Sequence, residues 1–150
     1  MWNFIGRASF YILYPFLAFY LGRQERARIV ICCADEVLLV RSWLGNSKWD
    51  LPGGGLHKHE DPLSGAAREI REELGIELNE SSIQLVAKEP FRSGLIRYTA
   101  HYFTVSLDAK PVQLRLQTSE IIEAQWFKRS TVNSLRLNQQ HKRIIVSWYN

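Results

Sequence analysis

The chain has 150 residues, of which 46% are hydrophobic and 23% are charged, and its formal net charge is +4. This length and composition are typical of one soluble globular domain with a sizeable core. The charge excess suits an anionic substrate or an anionic membrane surface, but it is too small to indicate nucleic-acid binding. Adjacent Cys32 and Cys33 would face opposite sides of a strand, so we predict buried thiols in a reducing cytosol rather than a disulfide.

Residues 1–22 form an aromatic, apolar segment in which Arg7 is the only charge. As a helix, its uncharged part would span about 22 Å, against about 30 Å for the core of a bilayer. Three interpretations compete: an interfacial or short membrane anchor, a helix docked on the domain or on a second subunit, and a cleaved secretory signal. Arg23, Arg26 and Arg28 follow directly, which fits a cytoplasmic flank that faces lipid. The segment therefore predicts a cytoplasmic protein, with membrane association and a homodimer contact as open alternatives.

The remainder, residues 23–150, predicts one domain built from strands and two helices. The strands are predicted at 28–34, 37–42, 49–51, 83–91, 95–107 and 123–127. The helices are predicted at 61–75 and 139–149. Strands on both sides of a central helix, with a second helix at the end of the chain, predict an α/β sandwich.

A loop of three successive glycines, 53–55, precedes the central helix. Glycine permits positive φ and a close approach of the backbone to a ligand, so Gly54 is a candidate substrate contact. Asp61 can cap the first free N–H groups of the helix, Pro62 suits its first position and Gly75 ends it. The apolar stripe of this helix consists of Leu63, Ala66, Ala67, Ile70 and Leu74.

Three carboxylates share another face of the same helix, because Glu69, Glu72 and Glu73 stand three and four residues apart. Like charges at this spacing repel, and the helix dipole is also negative near its carboxyl end. A hard divalent cation would reverse the sign of both effects, and all-oxygen ligands favour Mg²⁺, Mn²⁺ or Ca²⁺ over zinc. The alternative is a solvated acidic face that is salt-bridged by Arg68 and Arg71.

The stretch from Gly54 to Ile76 reads GGLHKHEDPLSGAAREIREELGI. It resembles the signature of the Nudix hydrolases: Gly, five residues, Glu, seven residues, then Arg-Glu-apolar-x-Glu-Glu-x-Gly-apolar. The specified positions are all filled, by Gly54, Glu60, Arg68, Glu69, Ile70, Glu72, Glu73, Gly75 and Ile76. The resemblance implies a Nudix-type α-β-α sandwich with a mixed, curved sheet, and hydrolysis of the pyrophosphate bond in a nucleoside diphosphate linked to another group.

The resemblance also assigns roles around a bound Mg²⁺ or Mn²⁺. Glu72 and Glu73 would be metal ligands, and Glu69 would be a ligand or the catalytic base. The carbonyl of Gly53 would be a further ligand. Family members often add a carboxylate shortly before a Trp-Phe strand, and here Glu120 is the first choice, with Glu123 in reserve. An exposed loop acid is the alternative for Glu120.

Arg68 would orient the carboxylates through Glu60 and Glu69, so Glu60 would support the metal ligands without binding the metal itself. Three side chains outside these roles are candidate substrate contacts. Trp43 could stack on a base, Arg41 could pair with a phosphate, and Lys58 could touch a phosphate. For Trp43, the alternative is a packing role.

Two other functions compete with a Mg²⁺-dependent hydrolase of nucleoside diphosphate derivatives. One is a catalytically silent nucleotide-binding or regulatory module, against which the complete set of carboxylates argues. The other is a membrane-associated hydrolase of lipid-linked diphosphates, which only residues 1–22 suggest. The pattern does not choose among ADP-ribose, nucleotide sugars, dinucleoside polyphosphates and nucleoside triphosphates.

Overall fold

The computed structural model describes residues 25–43, 48–93 and 96–148, which form a five-stranded sheet with helices. The strands are β1 (Glu25–Cys33), β2 (Glu36–Ser42), β3 (Gln84–Ser93), β4 (Ile96–Ser106) and β5 (Ile121–Lys128). Their order in the sheet is β3-β4-β1-β2-β5. β1 runs parallel to β4, and the other neighbouring pairs are antiparallel. The prediction of a mixed sheet in an α/β fold is confirmed.

The two helices lie on opposite faces of this sheet. They are α1 (Pro62–Leu74) and α2 (Gln139–Trp148). On one face, Ile29 and Ile31 of β1 pack with Ile70 of α1 in a buried apolar cluster. On the other face, Val30 of β1 packs with Ile144 of α2 in a second cluster. Alternate residues of one strand therefore serve two cores, which explains why β1 is apolar without interruption from residue 29 to 33.

The ends of α1 follow from local chemistry. The Asp61 carboxylate accepts hydrogen bonds from the backbone N–H groups of Leu63 and Ser64, at 3.1 and 3.0 Å. Gly75 ends the helix in the left-handed conformation, with φ of 67°, and its N–H donates to the Arg71 carbonyl. A β-carbon at this φ would be strained, so the glycine is what permits the stop. The predicted boundaries of this helix are confirmed.

The glycine loop fills the space where β1 and β2 diverge. Ala27 donates its backbone N–H to the Gly54 carbonyl and Ile29 donates to the Pro52 carbonyl, both at 3.0 Å. On the other side, Val40 and Asp50 exchange two backbone hydrogen bonds. The loop is thus held as part of the sheet, which leaves its backbone in a defined position beside α1.

Some sequence-based boundaries need correction. β5 begins at Ile121 rather than at 123, and the stretch 49–51 is not a strand of the sheet, since Trp49 and Asp50 each form one isolated bridge. The prediction of a lipid-facing flank is wrong for Arg28, which lies inside β1 and is only 8% exposed. Arg28 is enclosed because β1 pairs with β4 and with the glycine loop. Arg26 is also in β1, with its guanidinium over the ring of Tyr98.

The predictions for residues 1–22 lie outside the described residues. Within the described ranges, no helix is long and apolar enough to cross a membrane. Cys32 and Cys33 are both buried, and the two thiols are not joined to each other by a disulfide.

Candidate active site

Arg68 is the centre of a hydrogen-bond network on α1. Its guanidinium donates to both carboxylate oxygens of Glu60, at 2.7 and 3.0 Å. It also donates to Glu69 at 2.8 Å, to Glu72 at 3.0 Å and to the Gly55 carbonyl at 3.1 Å. One planar cation therefore connects three carboxylates to the glycine loop. Its two bonds to Glu60 have the bidentate geometry that favours arginine over lysine.

The charges in this network reinforce one another. Hydrogen bonds from Arg68 lower the pKa of Glu60 to about 2, although desolvation opposes this shift. Glu60 also accepts the backbone N–H of His57 at 2.7 Å. Hydrogen bonding to Glu60, against the cost of burial, raises the pKa of the Arg68 guanidinium in turn. Glu60 is thus held as an anion that fixes Arg68 from the side away from Glu69.

Glu73 is the buried carboxylate of the site and is only 5% exposed. It accepts the backbone N–H of Gly53 at 2.8 Å. Burial raises its pKa to about 7; the Gly53 hydrogen bond and the charge of Arg28 oppose this shift, and the charges of Glu69 and Glu120 add to it. A desolvated carboxylate with like-charged neighbours is poised to gain from a cation.

Glu69 stands directly against the glycine loop. A β-carbon built on Gly54 would lie 2.2 Å from one Glu69 carboxylate oxygen, so only glycine leaves room for this side chain. Burial raises the pKa of Glu69, while its hydrogen bond to Arg68 opposes the shift. The close approach of loop and carboxylate therefore depends on the glycine at position 54.

Glu120 reaches the site because the segment before β5 docks on the last turn of α1. Arg115 donates its backbone N–H to the Leu74 carbonyl at 2.9 Å, and Gln117 donates to the Glu73 carbonyl at 3.0 Å. The Glu120 side chain is exposed, and its charge contributes to the raised pKa of Glu73. The structure thus brings Glu120 towards the carboxylates of α1.

These donors suit a hard divalent cation, because all of them are oxygens and the buried Glu73 carboxylate has one N–H donor and no ion pair in the described ranges. Within 25–43, 48–93 and 96–148, no three His, Cys, Asp or Glu side chains already stand at coordination geometry. Glu69 and Glu72 turn towards Arg68 instead.

Three of the predicted substrate contacts, Arg41, Trp43 and Lys58, form no contact with Arg68 or Glu73 in the described ranges. Arg41 forms an ion pair with Glu123 and lies over the Trp49 ring, 4.9 Å from its centroid. Trp43 is 61% exposed, and its indole N–H donates to the Thr118 carbonyl at 2.9 Å. Lys58 is exposed in the turn before α1. The structure therefore places Arg41 and Trp43 beside the segment that carries Glu120, and Lys58 apart from them.

Sequence reasoning missed a buried polar chain behind the glycine loop. Arg28 donates to the carbonyls of Leu51 and Gly53. It also faces Asp50 at 3.6 Å, and an Asp50 carboxylate oxygen lies 2.6 Å from Nδ1 of His141, although not in hydrogen-bond alignment. One signal was available: His141 lies on the same helical stripe as Ile144, Ile145 and Trp148, and this stripe faces the core.

The curated relatives match different shares of this chain. Nudix hydrolase 7 of Arabidopsis thaliana is 33% identical over 95 residues, which are 61% of this chain and 33% of that protein. Diphosphoinositol polyphosphate phosphohydrolase 2 of Rattus norvegicus is 50% identical over 42 residues, which are 28% of this chain and 24% of the relative. The matched stretches thus span a quarter to a third of these relatives' lengths.

Solved structures extend the similarity to most of the fold. An Ap4A hydrolase of C. elegans, solved as a binary complex, superposes with a TM-score of 0.69 over 84% of this chain and 95% of its own, at 18% identity. At that identity the likeness shows a shared fold. The family model described as NUDIX domain matches residues 22–149, which is most of the sequence. With the loop and helix geometry above, this match shows that the chain belongs to the Nudix hydrolase family.

Proposed function

We propose that the protein hydrolyses the pyrophosphate bond of a nucleoside diphosphate linked to another group, with Mg²⁺ or Mn²⁺ as cofactor. The observation that carries this proposal is the buried Glu73 carboxylate, which is hydrogen-bonded to the glycine loop and raised in pKa by burial, with Glu69 and Glu120 adding to the shift. Charge repulsion of this kind destabilises a fold unless a ligand offsets it. A polyanionic substrate with its divalent cation is such a ligand.

The site residues would have three roles: holding the cation, orienting its ligands and accepting a proton. Glu69, Glu72, Glu73, Glu120 and the Gly53 carbonyl would hold the cation. When bound, such an ion neutralises phosphate oxygens and lowers the pKa of a coordinated water. Arg68 keeps Glu69 and Glu72 oriented, and Glu60 holds the Arg68 guanidinium in place. Glu69 is also a candidate base, because it is a carboxylate beside the proposed metal ligands and burial raises its pKa above the ordinary value.

Arg26 is a further candidate for contact with a substrate phosphate. Its guanidinium lies 5.5 Å from the centroid of the Tyr98 ring, and its Nε atom is buried without a hydrogen-bond partner. Burial, together with the charge of Arg28, lowers its pKa. Within the described residues it forms no ion pair, so a phosphate would supply the anion that it lacks. Arg41, Trp43, Gly54 and Lys58 remain proposed substrate contacts.

A substrate panel with and without metal tests the proposal. The panel should contain ADP-ribose, a nucleotide sugar, a dinucleoside tetraphosphate, a nucleoside triphosphate and a diphosphoinositol polyphosphate. We expect cleavage of at least one of the four nucleotides in Mg²⁺ or Mn²⁺ and none in EDTA, measured by chromatography of the phosphorylated products. Cleavage of the diphosphoinositol polyphosphate alone would contradict the proposed substrate class. Full turnover in EDTA would reject the metal-dependent mechanism. Tight binding without cleavage would instead support a silent binding module.

The apolar segment, residues 1–22, is proposed to be dispensable for this chemistry, because the described site residues all follow Glu25, where β1 begins. Deleting 1–22 should leave turnover of a soluble substrate largely unchanged. Liposome co-sedimentation, melting temperature and turnover should be measured on the same truncated protein. Lost sedimentation would support the membrane anchor, and a lower melting temperature alone would support docking on the domain or on a second subunit. Lost turnover in a folded protein would contradict the boundary.

A further inference from the structure

We propose that Arg28, Asp50 and His141 are positioning residues for the metal site. They connect α2, on one face of the sheet, to the peptide group of Gly53, and so set how the glycine loop meets the carboxylates of α1. This inference rests on the proposed function in one respect, that the site binds a divalent cation.

The first link is Arg28, whose guanidinium supports the loop from beneath. One terminal nitrogen donates to the Leu51 carbonyl at 3.0 Å and to the Gly53 carbonyl at 2.5 Å. The other terminal nitrogen faces the Asp50 carboxylate at 3.6 Å. A carbonyl oxygen has two lone pairs, so the bond from Arg28 leaves one on Gly53 for a further partner.

The second link is Asp50, which joins the strand-borne arginine to the helix. One of its oxygens faces Arg28, and the other accepts the backbone N–H of Leu51 at 2.8 Å. That same oxygen lies 2.6 Å from Nδ1 of His141, a close contact whose alignment is not that of a hydrogen bond. His141 is fully buried, with its ring stacked on Phe91 at 4.9 Å. Burial and stacking on Phe91 therefore hold the imidazole beside Asp50, at the end of the polar chain farthest from Gly53.

The polar chain ends at the Gly53 peptide group, which is also held by a contact with α1. The Gly53 N–H donates to Glu73 at 2.8 Å, while its carbonyl accepts from Arg28. Its φ is 121°, and a β-carbon there would meet the Ala27 carbonyl oxygen at 2.4 Å. Rotating this peptide would break contacts on both faces of the sheet at once. The orientation of Gly53 thus couples Arg28 to Glu73.

A purely structural ion pair would make all of its contacts within the core. A buried ion pair of that kind is weak evidence for stabilisation of the fold. The polar chain of Arg28, Asp50 and His141 instead ends at the Gly53 carbonyl, the backbone group that we propose as a metal ligand. Partners that hold metal ligands in place commonly change metal affinity by about 10- to 100-fold when removed. His141 is the farthest member, so we expect the lower end of that range.

Two substitutions of His141 separate positioning from packing. His141→Phe keeps an aromatic ring against Phe91 but removes the nitrogen that pairs with Asp50. His141→Asn places an amide where Nδ1 lies and sacrifices the ring. Thr104→Val is the matched control, because it removes another buried side-chain hydrogen bond in the sheet, to the Val30 carbonyl, without touching the loop.

The measurements are the Kd of Mn²⁺ by calorimetry without substrate, and amide exchange of Gly53 in metal-free protein. We expect His141→Phe to weaken Mn²⁺ binding about tenfold and to accelerate exchange, with His141→Asn and Thr104→Val staying within about threefold of wild type. Asp50→Asn should weaken Mn²⁺ binding and accelerate exchange as His141→Phe does. If His141→Phe does not fold, Asp50→Asn serves as the test variant.

The inference is overturned if His141→Phe binds Mn²⁺ as wild type does, if Asn weakens binding more than Phe, or if wild-type protein binds no Mn²⁺. It stands independently of turnover. A wild-type protein that binds Mn²⁺, shows the expected order of variants and cleaves nothing in the panel would reject the proposed function and keep the positioning role.

Discussion

Replacing Glu73 with Gln is expected to lower kcat by about a hundredfold or more, which corresponds to about 2.7 kcal/mol in the barrier. Gln keeps the shape of the side chain and can still accept the Gly53 N–H, but it removes a charged ligand from the proposed site. In metal-free protein the same change removes a buried charge from beside Glu69 and Glu120. We therefore expect a folded, inactive variant.

The stability of this variant should depend on pH in a defined direction. Burial raises the pKa of Glu73 from 4.5 to about 7, so the folded state holds this proton more tightly than the unfolded state does. The resulting stabilisation is complete below pH 4.5 and is lost as the pH rises through about 7. Glu73→Gln should match wild type at pH 4 and exceed it above pH 7 by on the order of 1–3 kcal/mol.

Urea unfolding in EDTA across this pH range, together with turnover in Mg²⁺, provides the measurement. Glu72→Gln is the matched control, because it makes the same change of Glu to Gln at the adjacent position, where the side chain is 48% exposed rather than buried. A Glu73→Gln protein that unfolds more easily and retains its specific activity would support the solvated acidic face instead of a metal site.

Replacing Gly53 with Ala is expected to destabilise the protein by about 3 kcal/mol or more, and to abolish activity with it. A φ of 121° is strained for any residue with a side chain, at a cost of about 1–3 kcal/mol. The new methyl group would also lie 2.4 Å from the Ala27 carbonyl oxygen, which belongs to the backbone of β1 and cannot swing away. Relief requires moving the loop, which takes the Gly53 N–H off Glu73.

Gly54→Ala provides the contrast at the adjacent position. Its methyl group would meet a Glu69 carboxylate oxygen at 2.2 Å, and a side-chain end can move where a strand cannot. We expect a protein that melts near the wild-type temperature but has lost turnover, since Glu69 is displaced. Melting curves and turnover on both variants check this pair. Equal melting temperatures for Gly53→Ala and wild type would show that the loop tolerates another backbone conformation.

The amino-acid sequence by itself determined the central helix and the face that carries its acids. Asp61 and Gly75 act within a few residues of where they stand, so capping chemistry decides both helix ends without tertiary contacts. The spacing of Glu69, Glu72 and Glu73 places them together on any helix. The contacts of Arg68 with Glu60, which close the network, also lie within this one segment.

Tertiary structure alone decided what surrounds that helix. Arg28 followed an apolar segment and so resembled a lipid-facing flank, but pairing of β1 with β4 buried it under the glycine loop. Asp50 and His141 are separated by most of the chain, and they meet because α2 packs on the face of the sheet opposite α1. Local patterns report which residues share a face of one element. Which element that face meets depends on strand pairing between distant segments, and no local pattern carries that information.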